Sequence, residues 1–407
     1  MPNIIKNIIK SIGPGIIIAA VVLGPGSITV ASRIGASYGF TFLWVLIFAF
    51  LFMITYTSMS ARFGIVNNRS ILQTIATTYG RWFSIIISTS AFLSALSFQF
   101  GNNLGIGIGM HGITGVDERL WPLIFTPLAL LLLFWARNLY SIMEKLMIIL
   151  VMVMIISFFL NLVLTRPEIV PILKGFIPHS VEREQLSILA ALLGTSFSLT
   201  GAIYHSYLAQ DKGWKKGNLK SSLKDTYIGI LMLSLITGVI IITSAASLHP
   251  MGIQVNSAAD MALQLEALFG IYAKVVFSIG LCAAAFSSLM VNALIGGGLM
   301  SDGLGMGRSM NDKVPRIFTM IILLAGMFVA VFLRGNVIYT LIIAQASSIL
   351  AVPLIAIGLF ITANNKEIMG SYRNKWWQNI IALFGLLSIS LMVYFMYRSL
   401  IAYLNAF

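Results

Sequence analysis

The chain has 407 residues, of which 58% are hydrophobic and only 10% charged, and its mean hydropathy is +0.94. A water-soluble body of this size needs far more surface charge, so the composition excludes a soluble globular protein. A net charge of +13 would suggest nucleic acid in a soluble chain; here the basic residues follow the loops of a polytopic protein, and no nucleic-acid partner is expected.

Apolar stretches of about 20 residues, enough to cross ~30 Å of hydrocarbon, recur from end to end and predict about eleven spans. The first, Gly13–Ala36, follows Lys6 and Lys10 with no cleavable signal evident. It is interrupted by "VVLGPGSITVAS", in which Pro25 removes a backbone donor, Gly24 and Gly26 loosen either side, and Ser27 and Thr29 follow. Lipid cannot satisfy the freed groups, so neighbouring helices cover this break or something bound there uses it. The second span is Thr41–Ser60. The third, Phe83–Met110, carries Gln99, Asn102 and Asn103 at i, i+3 and i+4, on one face. Buried amides need partners, and both a wet cavity and bonding between helices remain open for these three. "GIGIGM", Gly105 to Met110, reads as close helix packing. Trp121–Trp135 and Leu146–Leu164 are the fourth and fifth spans.

The sixth span, Leu186–Leu208, contains "GTSFSLTGAIYHSYLAQ", which crowds Gly194, Thr195, Ser196, Thr200 and Gly201 into its middle. It predicts a second break, around Leu199–Gly201. His205 is the one histidine within a span; without a carboxylate partner it makes a poor proton relay, and its plainer role is a hydrogen bond to a neighbour. Lys212, Lys215, Lys216, Lys220 and Lys224 then form an orientation signal, with anionic lipid as a lesser reading. The remaining spans are Ile228–Ala246, Ile271–Leu299, Ile317–Phe332, Val337–Thr362 and Trp377–Leu400. Cys282, in the eighth, is the single cysteine, which excludes a disulfide or thiolate metal cluster within one chain. Asn292 reads mainly as structural, and Gly296–Gly298 as helix packing.

With the N-terminus inside, most of the 26 basic residues fall in cytoplasmic segments, and an odd span count puts the C-terminus outside. Broken helices at corresponding positions of two five-span halves point to an inverted-repeat secondary transporter. The repeats cover about 12–164 and 186–362, and an extra helix covers about 377–400. The expectation is a monomeric, all-α, multi-pass protein of the cell's inner (plasma) membrane, in contact with the bilayer. No cofactor is expected, and no nucleophile–base pair suggests an enzyme.

Several segments resemble the NRAMP family of divalent-metal transporters. "FLWVLIFAFLFMITYTSMSARFGIVNNRSI" is similar to its second span and following loop, and "ARNLYSIMEKLMIILVMVMIISFFLNLVLTRPEIVPILKGFIP" to its fourth-to-fifth-span region. "AAAFSSLMVNALIGGGLMSDG", with Ser287-Ser288, Gly296 and Met300, resembles its eighth span. "AQASSILAVPL", with Gln345 eight residues before Pro353, resembles its tenth. The resemblance covers nearly the whole chain and implies a LeuT-like 5+5 inverted repeat with discontinuous helices 1 and 6. The departures fall on the chemistry. Where the family's first break reads Asp-Pro-Gly-Asn, this chain reads Gly24-Pro25-Gly26-Ser27. Where its sixth span reads Met-Pro-His, aligning "AIY" puts Leu199-Thr200-Gly201. The acidic residues of its third span have apolar or amide counterparts around Ala95 to Gln99. Among the expected ligands, Gln345 survives.

All 13 acidic residues fall in loops or at span ends, with Asp302 the deepest. A bare dication would meet no midplane carboxylate, and neutral oxygens compensate poorly for a double charge at low dielectric. Without the thioether, the remaining donors are hard oxygens. Mg²⁺ usually keeps several waters, and an NRAMP-related branch that resembles this description carries Mg²⁺. The expected substrate is therefore Mg²⁺ or Mn²⁺, carried by alternating access without obligatory proton coupling. Expected substrate-facing residues are Gly24, Ser27, Gln99, Asn102, Asn103, Ser196, Leu199, Thr200 and Gln345, with Ser27 and Gln345 toward the metal. His205 is the candidate for any proton linkage. The alternatives are a carrier of a small neutral or anionic solute, since helix N-termini at a break favour anions, and a non-transporting membrane sensor.

Overall fold

The computed structural model describes residues 14–15, 23–135, 137–309, 311–332 and 337–404. They form helices joined by short connections, with no β-strand among the described residues. Nine helical segments among them are long and apolar enough to cross a membrane. Helix α1 (Pro25–Tyr38) is the second half of span one; most of the predicted first half lies outside the described residues. The first half of the chain continues through α2 (Leu43–Val66), the short α3 (Ile71–Thr78), α4 (Arg81–Thr114), α5 (Pro122–Phe134) and α6 (Arg137–Thr165). The second half begins with α7 (Leu186–Ser196) and α8 (Leu199–Asp211), followed by α9 (Leu219–Ser247), α10 (Ala273–Leu304) and α11 (Lys313–Phe332). Helices α12 (Val337–Ser347), α13 (Val352–Asn364) and α14 (Trp376–Leu404) complete it.

One expectation needs correction. The second break lies at Phe197–Ser198, not at Leu199–Gly201, and Gly201 is inside α8. Ser198 ends the interruption by itself: its hydroxyl accepts from the Gly201 N–H at 3.4 Å, an N-cap that needs neither proline nor glycine. Span ten is one helical segment, Val337–Asn364, that tightens locally. A 3₁₀ turn over Ser348–Ala351 joins α12 to α13, and Pro353 sits in the first turn of α13. There its missing N–H costs nothing, because first-turn donors have no intrahelical acceptor. Span four is short: the 13 residues of α5 rise about 20 Å, well under the hydrocarbon thickness.

The packing shows the inverted repeat. Helix α4, the third span, lies along α10, the eighth. Helix α9 packs on α1, whereas α2 packs on α8, so each broken helix rests on the second helix of the other repeat. The two contacts are built alike. Ser244 of α9 donates to the Ser32 carbonyl of α1, and Ser60 of α2 donates to the Ile203 carbonyl of α8 at 3.1 Å. Glycines bring the backbones together: a β-carbon at Gly35 would overlap the Ile241 carbonyl, and one at Gly64 the Ser206 carbonyl. Close backbone approach through small residues is the usual means of helix association where lipid supplies no hydrophobic drive. Helix α14 docks outside this core. Buried Arg62 of α2 donates to the Tyr372 carbonyl at 2.8 Å and to Asn374 Oδ1 at 2.6 Å, and the Tyr56 hydroxyl to the Ala382 carbonyl at 3.0 Å.

Gly35→Val should therefore force α1 off α9 and cost about 1–3 kcal/mol, in the range of overpacked cores. Thermal unfolding in detergent should show a lowered midpoint for it. Gly217→Ala, where a β-carbon meets nothing within 4 Å, should melt like the unaltered protein.

Candidate functional site

The interruptions of spans one and six meet in one cavity. Gly24 precedes α1 with extended backbone (φ −95°, ψ −176°), its carbonyl accepting from Ile28 N at 3.2 Å, and no side chain caps the first turn. Pro25 occupies the first helical position and packs away from the cavity against Gly105 of α4, where a β-carbon would overlap its ring. From α1 the cavity wall takes Gly24, Gly26 and Ser27; from α8 it takes Ser198, Thr200 and Gly201. Phe98 and Asn102 of α4 close another side, and Ser288, Asn292 and Ile295 of α10 a third. Gln345 of α12 completes it. A water molecule's centre can reach about 20 Å³ of the roughly 410 Å³ left unfilled there, room for one or two waters.

Gln345 is held by two glycines: a β-carbon at either Gly26 or Gly101 would overlap its amide. Its Oε1 is buried without a hydrogen-bond partner, as is Thr200 Oγ1. Buried polar atoms left unpaired cost about 1–3 kcal/mol each, and their presence on a cavity wall calls for a ligand or water. No titratable side chain among the described residues lines the cavity. Among the described residues, no group of three or more His, Cys, Asp or Glu could hold a metal ion. The electrostatics are set by dipoles instead. Helices α1 and α8 begin at the cavity, whereas α7 and α12 end beside it, Gly194 of α7 abutting the Gln345 carbonyl.

Of the expected site residues, Gly24, Ser27, Asn102, Thr200 and Gln345 line this cavity. Gln99, Asn103, Ser196 and Leu199 do not. Gln99 Nε2 donates to the Leu289 carbonyl of α10 at 3.1 Å, and Asn103 Oδ1 accepts from the Thr126 hydroxyl of α5 at 2.9 Å. Both amides therefore bond between helices, about 60–100° around α4 from Asn102. Leu199 is fully buried in the apolar core, and Ser196 Oγ is buried on α7 without a partner. Three hydrophilic wall residues were not expected as site members: Ser198, Ser288 and Asn292. Ser288, Asn292 and Ile295 stand at i, i+4 and i+7 of α10, a helical-face signal present in the sequence.

His205 also lies off the cavity. Its Nε2 sits 3.1 Å from Thr226 Oγ1 of α9, and its Nδ1 has no partner. Asp302 is fully buried at the end of α10, where it accepts from Ser70 Oγ at 2.6 Å, Tyr207 OH at 2.7 Å and Gln73 Nε2 at 2.9 Å. This one carboxylate ties α3, α8 and α10 together.

The profile described as "Natural resistance-associated macrophage protein-like" matches residues 15–398. A protein of Listeria welshimeri named divalent metal cation transporter MntH is 24% identical over 391 residues, covering 93% of this chain and 87% of that protein. One of the same name from Pectobacterium carotovorum is 26% identical over 389 residues, covering 94% and 92%. Among solved structures, the Eremococcus coleocola manganese transporter superposes with a TM-score of 0.76 at 17% identity, covering 95% of this chain and 86% of that one. A nucleobase–cation symport transporter superposes with a TM-score of 0.56 at 15% identity, covering 95% and 92%. At these identities the structural likeness is one of fold, and it is the LeuT-like inverted repeat. The profile match over nearly the whole length, on that fold, makes the chain a member of the Nramp family.

Proposed function

We propose that the protein carries a divalent metal cation across the plasma membrane by alternating access, with Mg²⁺ or Mn²⁺ as cargo and no obligatory proton coupling. The observation that carries this reading is the cavity wall: it offers amide and hydroxyl oxygens where the helices break, with no carboxylate, imidazole or thioether. The relatives named as divalent metal cation transporters, and the manganese transporter sharing the fold, support a divalent cargo. Hard neutral oxygens favour hard cations over soft ones. They hydrogen-bond to an ion's water shell without taking up protons near neutral pH. The narrow space reachable by water means that an ion retaining several waters enters only when the half-helices part. The same reading places the N-terminus in the cytoplasm and the C-terminus outside.

Uptake into proteoliposomes, with a pH dye inside, tests both parts of the proposal. Mg²⁺ or Mn²⁺ should enter without stoichiometric acidification and without needing a pH gradient; proton flux locked to metal flux would overturn the uncoupled reading.

Gln345→Leu keeps the volume between Gly26 and Gly101 but removes the unpaired oxygen. Losing a hydrogen bond to a charged group costs about 1.5–3 kcal/mol, so apparent affinity should fall roughly 10- to 100-fold. Wild-type uptake kinetics in this variant would place the cargo elsewhere.

A thioether placed on the wall should restore affinity for soft metals. Thr200→Met should make Cd²⁺ a strong competitor of uptake, whereas Leu199→Met, one residue away but turned into the core, should leave Cd²⁺ a weak one.

A further inference from the structure

Gln99 does not touch the cavity, yet it contacts two residues that do. Its side-chain orientation is fixed by α10: Nε2 donates to the Leu289 carbonyl at 3.1 Å. That leaves Oε1 as the end facing the site. There it accepts from Asn102 Nδ2 at 3.5 Å and from Asn292 Nδ2 at 3.4 Å. Asn292 Nδ2 also donates to the Ala95 carbonyl at 2.7 Å. Both asparagines thus turn their NH₂ groups toward α4 and away from the cavity they line. Asn102 Oδ1 faces the break, 3.4 Å from where a β-carbon on Gly24 would stand.

We infer that Gln99 is a positioning residue that holds Asn102 and Asn292 with their oxygens toward the cargo. A free asparagine amide presents a donor as readily as an acceptor, and only the acceptor face attracts a cation. With Gln99 in place, two oriented amide dipoles join Gln345 Oε1 in giving the wall negative ends. A neutral site gains cation preference in this way without a titrating group. Gly24 at the break and the amide lock behind Asn102 then belong together: where no acid stands, orientation supplies the field. The orientation stands on the hydrogen bonds alone; its meaning for selectivity rests on the cation reading above.

A double-mutant cycle read by thermal unfolding tests the orientation without any cargo. Asn102→Asp, read at alkaline pH so that its carboxyl is ionised, has no donor for Gln99 Oε1 and sets two acceptors against each other. It should lower the unfolding midpoint by several degrees beside Gln99, and by clearly less in a Gln99→Met background. Equal losses in both backgrounds would overturn the inferred orientation. The selectivity role is read from Mg²⁺ uptake by the single variants. Gln99→Met frees the Asn102 amide and leaves Asn292 held by the Ala95 carbonyl alone, and should raise KM at least about fivefold, the scale of one weakened hydrogen bond to a charged group. Gln99→Glu, whose protonated carboxyl donates to the Leu289 carbonyl and accepts from both asparagines, should stay within about twofold of the wild-type KM. A purely structural residue would lose as much with Glu as with Met, and that result, or an unchanged KM in Gln99→Met, would overturn the positioning role. If the cycle shows coupling while the unaltered protein moves neither Mg²⁺ nor Mn²⁺, the cation reading fails and the amide orientation stands.

Discussion

A helix interrupted inside hydrocarbon must find partners for every backbone group that the interruption exposes, because no water is present to supply them. In this protein that demand shapes the packing around both breaks. The start of α1 is pressed between α4 and α12, and its length runs along α9. The start of α8 is capped by Ser198 and its length runs along α2. Each broken helix leans on an unbroken helix of the opposite repeat, and glycines and serines at those contacts put backbone against backbone. The cavity is what remains where two such solutions face each other.

The spans were legible because hydrocarbon imposes a length and a composition that few other constraints share. The first break was legible because Gly24-Pro25-Gly26 leaves a helix few alternatives. The second was displaced by a few residues, because Ser198 ends the interruption through a side-chain cap, and serine is common in membrane helices for other reasons. The 3₁₀ turn over Ser348–Ala351, which tightens span ten without breaking it, is invisible to hydropathy because three of its four residues are as apolar as the helices it joins. Pro353 marked it, but proline also merely kinks helices.

The site shows the same division. Gly24, Ser27 and Gln345 could be placed through the breaks and the family resemblance. Asn102 could be separated from Gln99 and Asn103 only once the neighbours of α4 were known, since adjacent helix positions are about 100° apart and i, i+3 and i+4 span a broad arc. Asn292 reads as structural in the sequence because a buried amide usually bonds to a neighbouring helix. It does so here, to the Ala95 carbonyl, while also facing the cavity. A residue that serves both purposes cannot be sorted by sequence pattern.

The absence of a titratable group on the cavity wall, among the described residues, has an electrical consequence. A carboxylate in the site would travel with the cargo and cancel part of its charge, and a coupled proton would add to what moves. For the divalent cargo proposed above, neutral walls do neither: the loaded carrier bears the full double charge and the empty one returns with none. A membrane potential of 100 mV contributes about 2.3 kcal/mol per elementary charge, hence about 4.6 kcal/mol for a dication. On the uncoupled reading proposed above, inward transport would draw on the cargo's own electrochemical gradient, and accumulation inside an energised cell would need no second ion to drive it.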